Sequence, residues 1–192
     1  MTASDDAVSR AMAEVARVHF LPPDQQARAG LDIALPIGPG QTGSQPRTVA
    51  AMLRLLDVRP GHRVLDVGAG SGWSAALLGR LTGSGGSVHG VELDPALSEW
   101  GAANVARYDL AWVQLHVADP AVLGLPEEAP YDRILVSADG GSLPEPLVDQ
   151  LRVGGVMVLP VAGVMTRVVR SAEGPVVTTH GDYRFVPLRW QQ

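Results

Sequence analysis

The feature that most constrains this chain is a short apolar run that leads directly into a glycine-rich turn. Residues 64–72 read Val-Leu-Asp-Val-Gly-Ala-Gly-Ser-Gly, and the stretch SAALLGRL that follows is typical of a helix. In doubly wound folds, a ligand binds where such a turn connects a strand to a helix. Glycine lets the backbone turn tightly and lets a ligand approach without a Cβ in the way. The turn therefore predicts a cofactor site.

Strands and helices alternate from residue 61 onwards. The predicted strands are RVLDV, SVHGVEL, WVQLHVAD, YDRILVSA and GGVMVLPVA, and the tail segments TRVVRS, GPVVTTHG and YRFVPL suggest more. Helices are predicted over SAALLGRL, from Pro95, and over LPEPLVDQLRV. Strands that are apolar almost throughout require a sheet covered on both faces. The pattern predicts a doubly wound, mainly parallel α/β domain with helices on both faces, spanning residues 1–192.

The N-terminal quarter is predicted to form a helix and a loop that cap the sheet. Apolar residues between positions 7 and 18 have helical spacing, and Pro22 and Pro23 are expected to end this helix. The stretch from Pro36 to Pro46 carries so many prolines and glycines that no regular element is expected there. A helix is predicted to open at Gln45-Pro46. We therefore expect a cap of residues 1–45 on a core of residues 46–192.

Charge and cysteine content exclude several classes of protein. The net charge of −5 disfavours a nucleic-acid backbone or an anionic membrane as a partner. The absence of cysteine excludes disulfides and thiolate chemistry and is compatible with a cytoplasmic location, which we expect. The N-terminus lacks the basic start and apolar run of a signal peptide. No apolar run approaches the roughly 20 residues that a membrane span needs. A monomer is expected.

The residues around the turn distinguish between possible cofactors. Glu92 lies 20 residues beyond Gly72, where an acidic side chain accepts hydrogen bonds from ribose hydroxyls. The third glycine of a dinucleotide motif would fall on Trp73, and no phosphate-loop lysine follows. Asp66 would repel a pyrophosphate but suits the cationic amino-acid end of S-adenosylmethionine, directly or through water. S-adenosylmethionine is therefore the expected cofactor; the alternative is that the glycines form only a tight turn.

Asp119 ends the third predicted strand at the edge where an adenine amino group would lie. It could equally cap a helix that begins at Pro120. The five histidines have no metal-ligand spacing, so no metal site is expected.

The stretch ALPIGPGQTGSQPRTVAAML, from Ala34 to Leu53, resembles the signature of protein-L-isoaspartate O-methyltransferases. Members of that family carry a Pro-Ile-Gly-x-Gly-Gln-Thr-x-Ser-Gln-Pro loop ahead of their cofactor glycines. The resemblance continues through RVLDVGAGSGWSAALL, VHGVELDPAL, PYDRILVSA, DQLRVGGVMVLPV and FVPL, from about Val15 to Leu188.

The resemblance implies a repair enzyme that methylates the α-carboxylate of L-isoaspartyl residues in aged proteins. S-adenosylmethionine would be converted to S-adenosylhomocysteine. The family's active-site serine aligns with Ser44, whose alternative role is to cap the helix that opens at Pro46. The resemblance assigns substrate binding to Ile37, Gln41 and Thr42. Cofactor binding is expected at Asp66, Gly68, Ala69, Gly70, Glu92, Leu93 and Asp119.

The chain also departs from the family pattern. Gly30-Leu31-Asp32 replaces an element with an aromatic residue, Gly43 replaces a bulky apolar residue, and Asp139-Gly140-Gly141 replaces an Ala-Pro-rich turn. Asp119-Pro120 stands where Asp-Gly is usual. Two alternatives stay open: a divergent relative that methylates a carboxylate of a dedicated peptide or small molecule, and a silent S-adenosylmethionine-binding protein.

Overall fold

The computed structural model describes residues 6 to 190. Its helices are α1 (Ala7–Glu14), α2 (Pro46–Leu56), α3 (Trp73–Thr82), α4 (Pro95–Val105) and α5 (Glu145–Gln150). Its strands are β1 (Leu35–Gly38), β2 (Gln41–Gly43), β3 (Arg63–Val67), β4 (Ser87–Glu92), β5 (Val113–Val117), β6 (Tyr131–Val136), β7 (Leu151–Val161), β8 (Val164–Ser171) and β9 (Gly174–Asp182).

The main sheet has seven strands in the order β5-β4-β3-β6-β7-β8-β9. Strands β3 to β7 are parallel, whereas β8 and β9 continue the sheet as antiparallel neighbours. The chain moves outward from β3 to β5 on one side and then crosses to β6 on the other. This reversal next to β3 is the topological switch point at which open α/β sheets bind ligands. The predicted doubly wound, mainly parallel sheet is confirmed.

The sheet buries apolar side chains on both of its faces. Val64, Val88 and Leu135 belong to the cluster that packs with α1, α2 and α3. The residue that follows along the same strand, such as Leu65 after Val64, points to the opposite face and packs in the cluster with α5. Because both sets are buried, the strands are apolar almost throughout, as the sequence predicted.

The N-terminal helix is shorter than predicted. It ends at Glu14 because Val15 leaves the helical conformation, with φ −103° and ψ 88°. This places the Val15 side chain in the core and frees its carbonyl oxygen to accept the indole N–H of Trp73 at 3.2 Å. Two 3₁₀ turns follow, Arg17–Phe20 and Pro23–Arg28. The prolines therefore do not end the helix.

The expectation that residues 36–46 hold no regular element is wrong. The strands β1 and β2 form an antiparallel hairpin with Pro36 opposite Thr42 and Gly38 opposite Gln41. The turn between them is Pro39-Gly40, and Gly40 has φ +71°. Proline followed by a glycine with positive φ is typical of a type II turn, so the residues that suggested an irregular loop build the turn instead.

Two boundaries near the C-terminus also differ from the prediction. The helix α5 ends at Gln150, and Leu151–Val153 belong to β7, where Leu151 pairs with Tyr131. The segment YRFVPL forms no strand; apart from the bridge between Asp139 and Pro187, residues 183–190 are irregular. Between residues 6 and 190, no helix is long and apolar enough to span a lipid bilayer.

Candidate active site

A cavity of about 470 Å³ lies at the carboxyl ends of the central strands. One wall is formed by strand ends and the turns after them, a second by the β1–β2 hairpin, and a third by residues 186–190. Eight of the expected site residues line it: Ile37, Gln41, Thr42, Gly68, Gly70, Glu92, Leu93 and Asp119. Ser44, Asp66 and Ala69 do not line this cavity. The roles of all of these residues stay predictions.

The glycine turn is held by very close backbone contacts. Gly72 has φ +88°, and a Cβ at this position would lie 2.7 Å from the carbonyl oxygen of Gly101 in α4. In return, a Cβ on Gly101 would lie 2.8 Å from the carbonyl oxygen of Gly70. Only glycine allows the turn before α3 and the middle of α4 to approach this closely. The Ile37 side chain lies on the other side of the turn, with its Cδ1 3.1 Å from an added Cβ on Gly70.

Glu92 joins the end of β4 to this turn. Its Oε2 accepts the N–H of Gly70 at 3.0 Å, and its Oε1 accepts the N–H of Asp94 at 3.1 Å. Each oxygen is used once, so lone pairs are left over on a carboxylate that lines the cavity. This arrangement can accept hydrogen bonds from ligand hydroxyls.

Asp66 lies behind the turn and is fully buried. Its Oδ2 accepts the Ser74 hydroxyl at 2.6 Å, and its Oδ1 has no hydrogen-bond partner among the described residues. Burial raises the pKa of Asp66 from 3.8 to about 7, an effect that Ser74 opposes and the charge of Glu92 reinforces. Asp66 belongs to β3, and its role toward a ligand's ammonium group, directly or through water, stays a prediction.

Asp119 faces the cavity, but no helix follows it. Its Oδ1 accepts the N–H of Ala121 at 2.9 Å, and its carbonyl oxygen accepts the N–H of Val122 at 3.0 Å. The expected helix cap is therefore a turn cap. One carboxylate oxygen is left without a protein donor among residues 6 to 190, so the adenine role and the structural role are compatible.

Comparison with known proteins identifies the group to which this arrangement belongs. A family model for protein-L-isoaspartate(D-aspartate) O-methyltransferases matches residues 2–192. The chain belongs to this family. A protein-L-isoaspartate O-methyltransferase from Methanopyrus kandleri is 45% identical over 188 residues, covering 94% of this chain and 82% of its own length.

Solved structures agree with the sequence comparison. A protein-L-isoaspartate O-methyltransferase superposes with a TM-score of 0.86 at 28% identity, over 96% of this chain and 61% of that chain. A Plasmodium falciparum protein described as a member of the same family, in complex with S-adenosyl-L-homocysteine, gives a TM-score of 0.85 at 26% identity. That match covers 98% of this chain and 93% of the other.

The family's serine position, Ser44, directly follows the hairpin. Its hydroxyl makes no hydrogen bond with any residue from 6 to 190, and its carbonyl oxygen accepts Arg17 Nη2 at 3.1 Å. The alternative that Ser44 caps α2 finds no support, because the N-cap residue is Gln45. Asp32, which lies outside α2, caps the first turn of this helix instead: its carboxylate accepts the N–H of Arg47 at 2.9 Å.

Asp139, one of the departures from the family pattern, is a structural anchor. Its Oδ1 accepts the N–H groups of Gly141 and Ala162, and its Oδ2 accepts the N–H of Gly163, all at 2.8–2.9 Å. Its own backbone bonds to Val186 and Leu188 at 2.8 Å. Asp139 therefore holds residues 186–190 against the cavity.

Sequence reasoning missed the functional potential of this segment. Arg189 is the one basic residue lining the cavity, against the carboxylates of Glu92, Asp94 and Asp119. It makes no ion pair with any residue between 6 and 190. The FVPL resemblance marked this stretch, but only the fold shows which cavity it faces. No cluster of three potential metal ligands occurs among the described residues.

Proposed function

We propose that this chain transfers a methyl group from S-adenosylmethionine to the α-carboxylate of L-isoaspartyl residues in damaged proteins. The proposal rests on one observation: the residues expected to bind cofactor and those expected to bind substrate line the same cavity. Gly68, Gly70 and Glu92 form its cofactor wall, while Ile37 and the hairpin that holds the family's substrate loop form the opposite wall. A carboxyl methyl ester is the expected product.

The residues fit S-adenosylmethionine. Glu92 offers free lone pairs to ribose hydroxyls, and Leu93 and Asp119 lie beside it where the adenine would bind. The turn Gly68-Ala69-Gly70 carries no long side chain that would block the methionine end. When bound, S-adenosylmethionine supplies a methyl group on a positively charged sulfur, which a carboxylate oxygen can accept without losing a proton.

The absence of histidine from the cavity wall agrees with this acceptor. A carboxylate has a pKa of roughly 4 and is already ionised at neutral pH. No histidine is among the residues, from Ile37 to Trp190, that line the cavity. The protein then has to align the acceptor and exclude water, which can lower the barrier by about 7–11 kcal/mol.

Three side chains are proposed to bind the acceptor. Arg189 supplies positive charge to a cavity that otherwise carries carboxylates. The buried Oε1 of Gln41 has no hydrogen-bond partner in the described chain and can accept an amide N–H of an isoaspartyl peptide. Ser44 lies just outside the lining, two residues beyond Thr42, and its hydroxyl is proposed to orient the acceptor carboxylate.

The decisive assay compares two matched peptides, one with L-isoaspartate and one with aspartate, incubated with labelled S-adenosylmethionine. Base-labile label on the isoaspartyl peptide alone is the expected result. Binding of S-adenosylhomocysteine without transfer to either peptide would instead indicate a silent binding protein or a dedicated acceptor. Ser44→Ala should lower kcat, and full activity in this variant would remove Ser44 from the mechanism.

The remaining assignments are part of the same proposal. Residues 1–192 act as one methyltransferase domain, in the cytoplasm and as a monomer, with isoaspartyl proteins as partners. The negative net charge of −5 argues against nucleic acid as a partner. Light scattering of the purified protein measures the oligomeric state.

A further inference from the structure

Arg17 lies under the hairpin with its guanidinium nearly inaccessible to solvent; the residue is 8% exposed. Its Nη2 donates to the carbonyl oxygen of Ile33 at 2.8 Å, just before β1 begins. The same nitrogen donates to Ser44 at 3.1 Å and to Gly43 at 3.4 Å, where β2 ends. One side chain therefore holds both ends of the hairpin that forms the acceptor wall.

The other terminal nitrogen of Arg17 forms hydrogen bonds to the segment before the hairpin. Nη1 donates to the carbonyl oxygens of Leu31 at 3.0 Å and Ala29 at 3.4 Å. No carboxylate between residues 6 and 190 lies within ion-pair distance of Arg17. Backbone carbonyl groups are thus the main solvation of a buried cation, and displacing the segment would leave that charge without compensation.

Arg17 is also attached to the cofactor side. Its Cζ lies 5.5 Å from the centre of the Trp73 ring, within the range of a cation–π contact. Trp73 is the first residue of α3, directly after Gly72, and its indole donates to Val15 at 3.2 Å. A short chain of contacts therefore links the glycine turn, through Trp73 and Arg17, to Ser44.

We propose that Arg17 is a positioning residue that fixes the Ser44 end of the hairpin relative to the cofactor turn. It touches neither reactant; it sets the distance between the two walls of the cavity. The expected loss of kcat rests on the proposed methyl transfer, whereas the expected loosening of the hairpin does not. A planar guanidinium with fixed donors can satisfy carbonyl groups in several directions and stack on the indole, whereas a lysine ammonium cannot do both.

Arg17→Lys is the central variant, and Arg133→Lys is its matched control. Arg133 is also buried, at 6% exposure, and donates to the carbonyl oxygens of Asp57 and Asp132, but it does not line the cavity. Both variants should lose thermal stability to a similar degree. Arg17→Lys should lower kcat by about 10- to 100-fold, the effect of a small misplacement of reacting groups. Arg133→Lys should keep the wild-type kcat.

Affinity for S-adenosylhomocysteine, measured by calorimetry, separates positioning from general damage. In Arg17→Lys it should stay within about threefold of the wild type, because the glycine turn is backed independently by α4. A loss of affinity equal to the loss in kcat would overturn the proposal. In a Ser44→Ala background, Arg17→Lys should lower kcat much less than it does alone; full additivity would contradict coupling through Ser44.

Amide hydrogen exchange tests the inference without any activity. Exchange in residues 29–45 should accelerate in Arg17→Lys and stay unchanged in Arg133→Lys. If the wild-type protein methylates no isoaspartyl peptide, the proposed function fails while this measurement still decides the structural role of Arg17. Unchanged exchange in Arg17→Lys would refute that role even in a fully active enzyme.

Discussion

Glu92 accepts the backbone N–H of Gly70 at 3.0 Å, so that the end of β4 is bonded to the turn that follows β3. Glu92, which is expected to bind the cofactor's ribose, is therefore also hydrogen-bonded to the glycine turn. Its second oxygen is bonded to the N–H of Asp94.

Glu92→Gln should weaken S-adenosylhomocysteine binding by about 10- to 100-fold, because a hydrogen bond to a charged group contributes about 1.5–3 kcal/mol. Glutamine offers one oxygen to two backbone N–H groups, so one of them also loses its acceptor. Isothermal titration calorimetry measures the change. Glu99→Gln, an exposed residue of α4, is the control and should bind like the wild type. Equal affinities for all three proteins would show that Glu92 does not contact the ligand.

The raised pKa of Asp66 predicts a pH-dependent stability. Between about pH 4 and about pH 7 the folded protein keeps a proton on Asp66 that the unfolded chain has released. The free energy of unfolding should therefore fall as pH rises through this window, by up to about 1.4 kcal/mol per pH unit from this group. Urea unfolding of the wild type and Asp66→Asn at several pH values checks this. The variant should lack this contribution; parallel pH curves would refute it.

Asp139→Ala should lower the free energy of unfolding by about 2 kcal/mol, because three backbone N–H groups lose a charged acceptor. It should also raise the KM for the isoaspartyl peptide, because the Asp139 backbone groups that bond to Val186 and Leu188 lose the side-chain hydrogen bonds that fix their position. Asp149→Ala is the control: its ion pair with Arg170 spans 4.0 Å at an exposed position. Such a pair contributes about 0–1 kcal/mol. An unchanged KM in Asp139→Ala would show that residues 186–190 do not contribute to acceptor binding.

Arg189→Gln should raise the KM for the isoaspartyl peptide by roughly 5- to 10-fold, with little change in kcat, because one exposed charge contributes about 1 kcal/mol or slightly more. The effect should shrink as salt is added. Arg184→Gln, in the same tail but outside the cavity lining, should behave like the wild type. Steady-state kinetics at low and high ionic strength measure both variants. Identical kinetics for them would exclude Arg189 from acceptor recognition.

The parts of the fold that could be predicted are those that depend on local pattern. The run from Val64 to Gly72 carries its own strand, turn and helix start, and Glu92 follows at a spacing that parallel strands impose. The hairpin at Leu35–Gly43 was not predictable in the same way. Its prolines and glycines favour both a loop and a tight turn, and contacts outside the segment select between them.

The parts of the site that could not be predicted depend on partners far away in the chain. Arg17 contacts carbonyl groups of residues 29–44, and backbone carbonyls leave no trace in side-chain identity. Asp139 bonds to Ala162 and Gly163, and its sequence context showed only a departure from a family pattern. Asp66 belongs to the predicted motif, but its burial and its hydrogen bond to Ser74 depend on how α3 packs on β3.

The mutual contact of Gly72 and Gly101 has a thermodynamic consequence. Because the glycine turn before α3 touches the middle of α4 backbone to backbone, the turn has almost no room to rearrange. Its conformational entropy is lost when the protein folds, so a ligand meets a turn that is already in its binding shape. The glycines that look like points of freedom in the sequence make this part of the molecule rigid, and ligand affinity benefits from that rigidity.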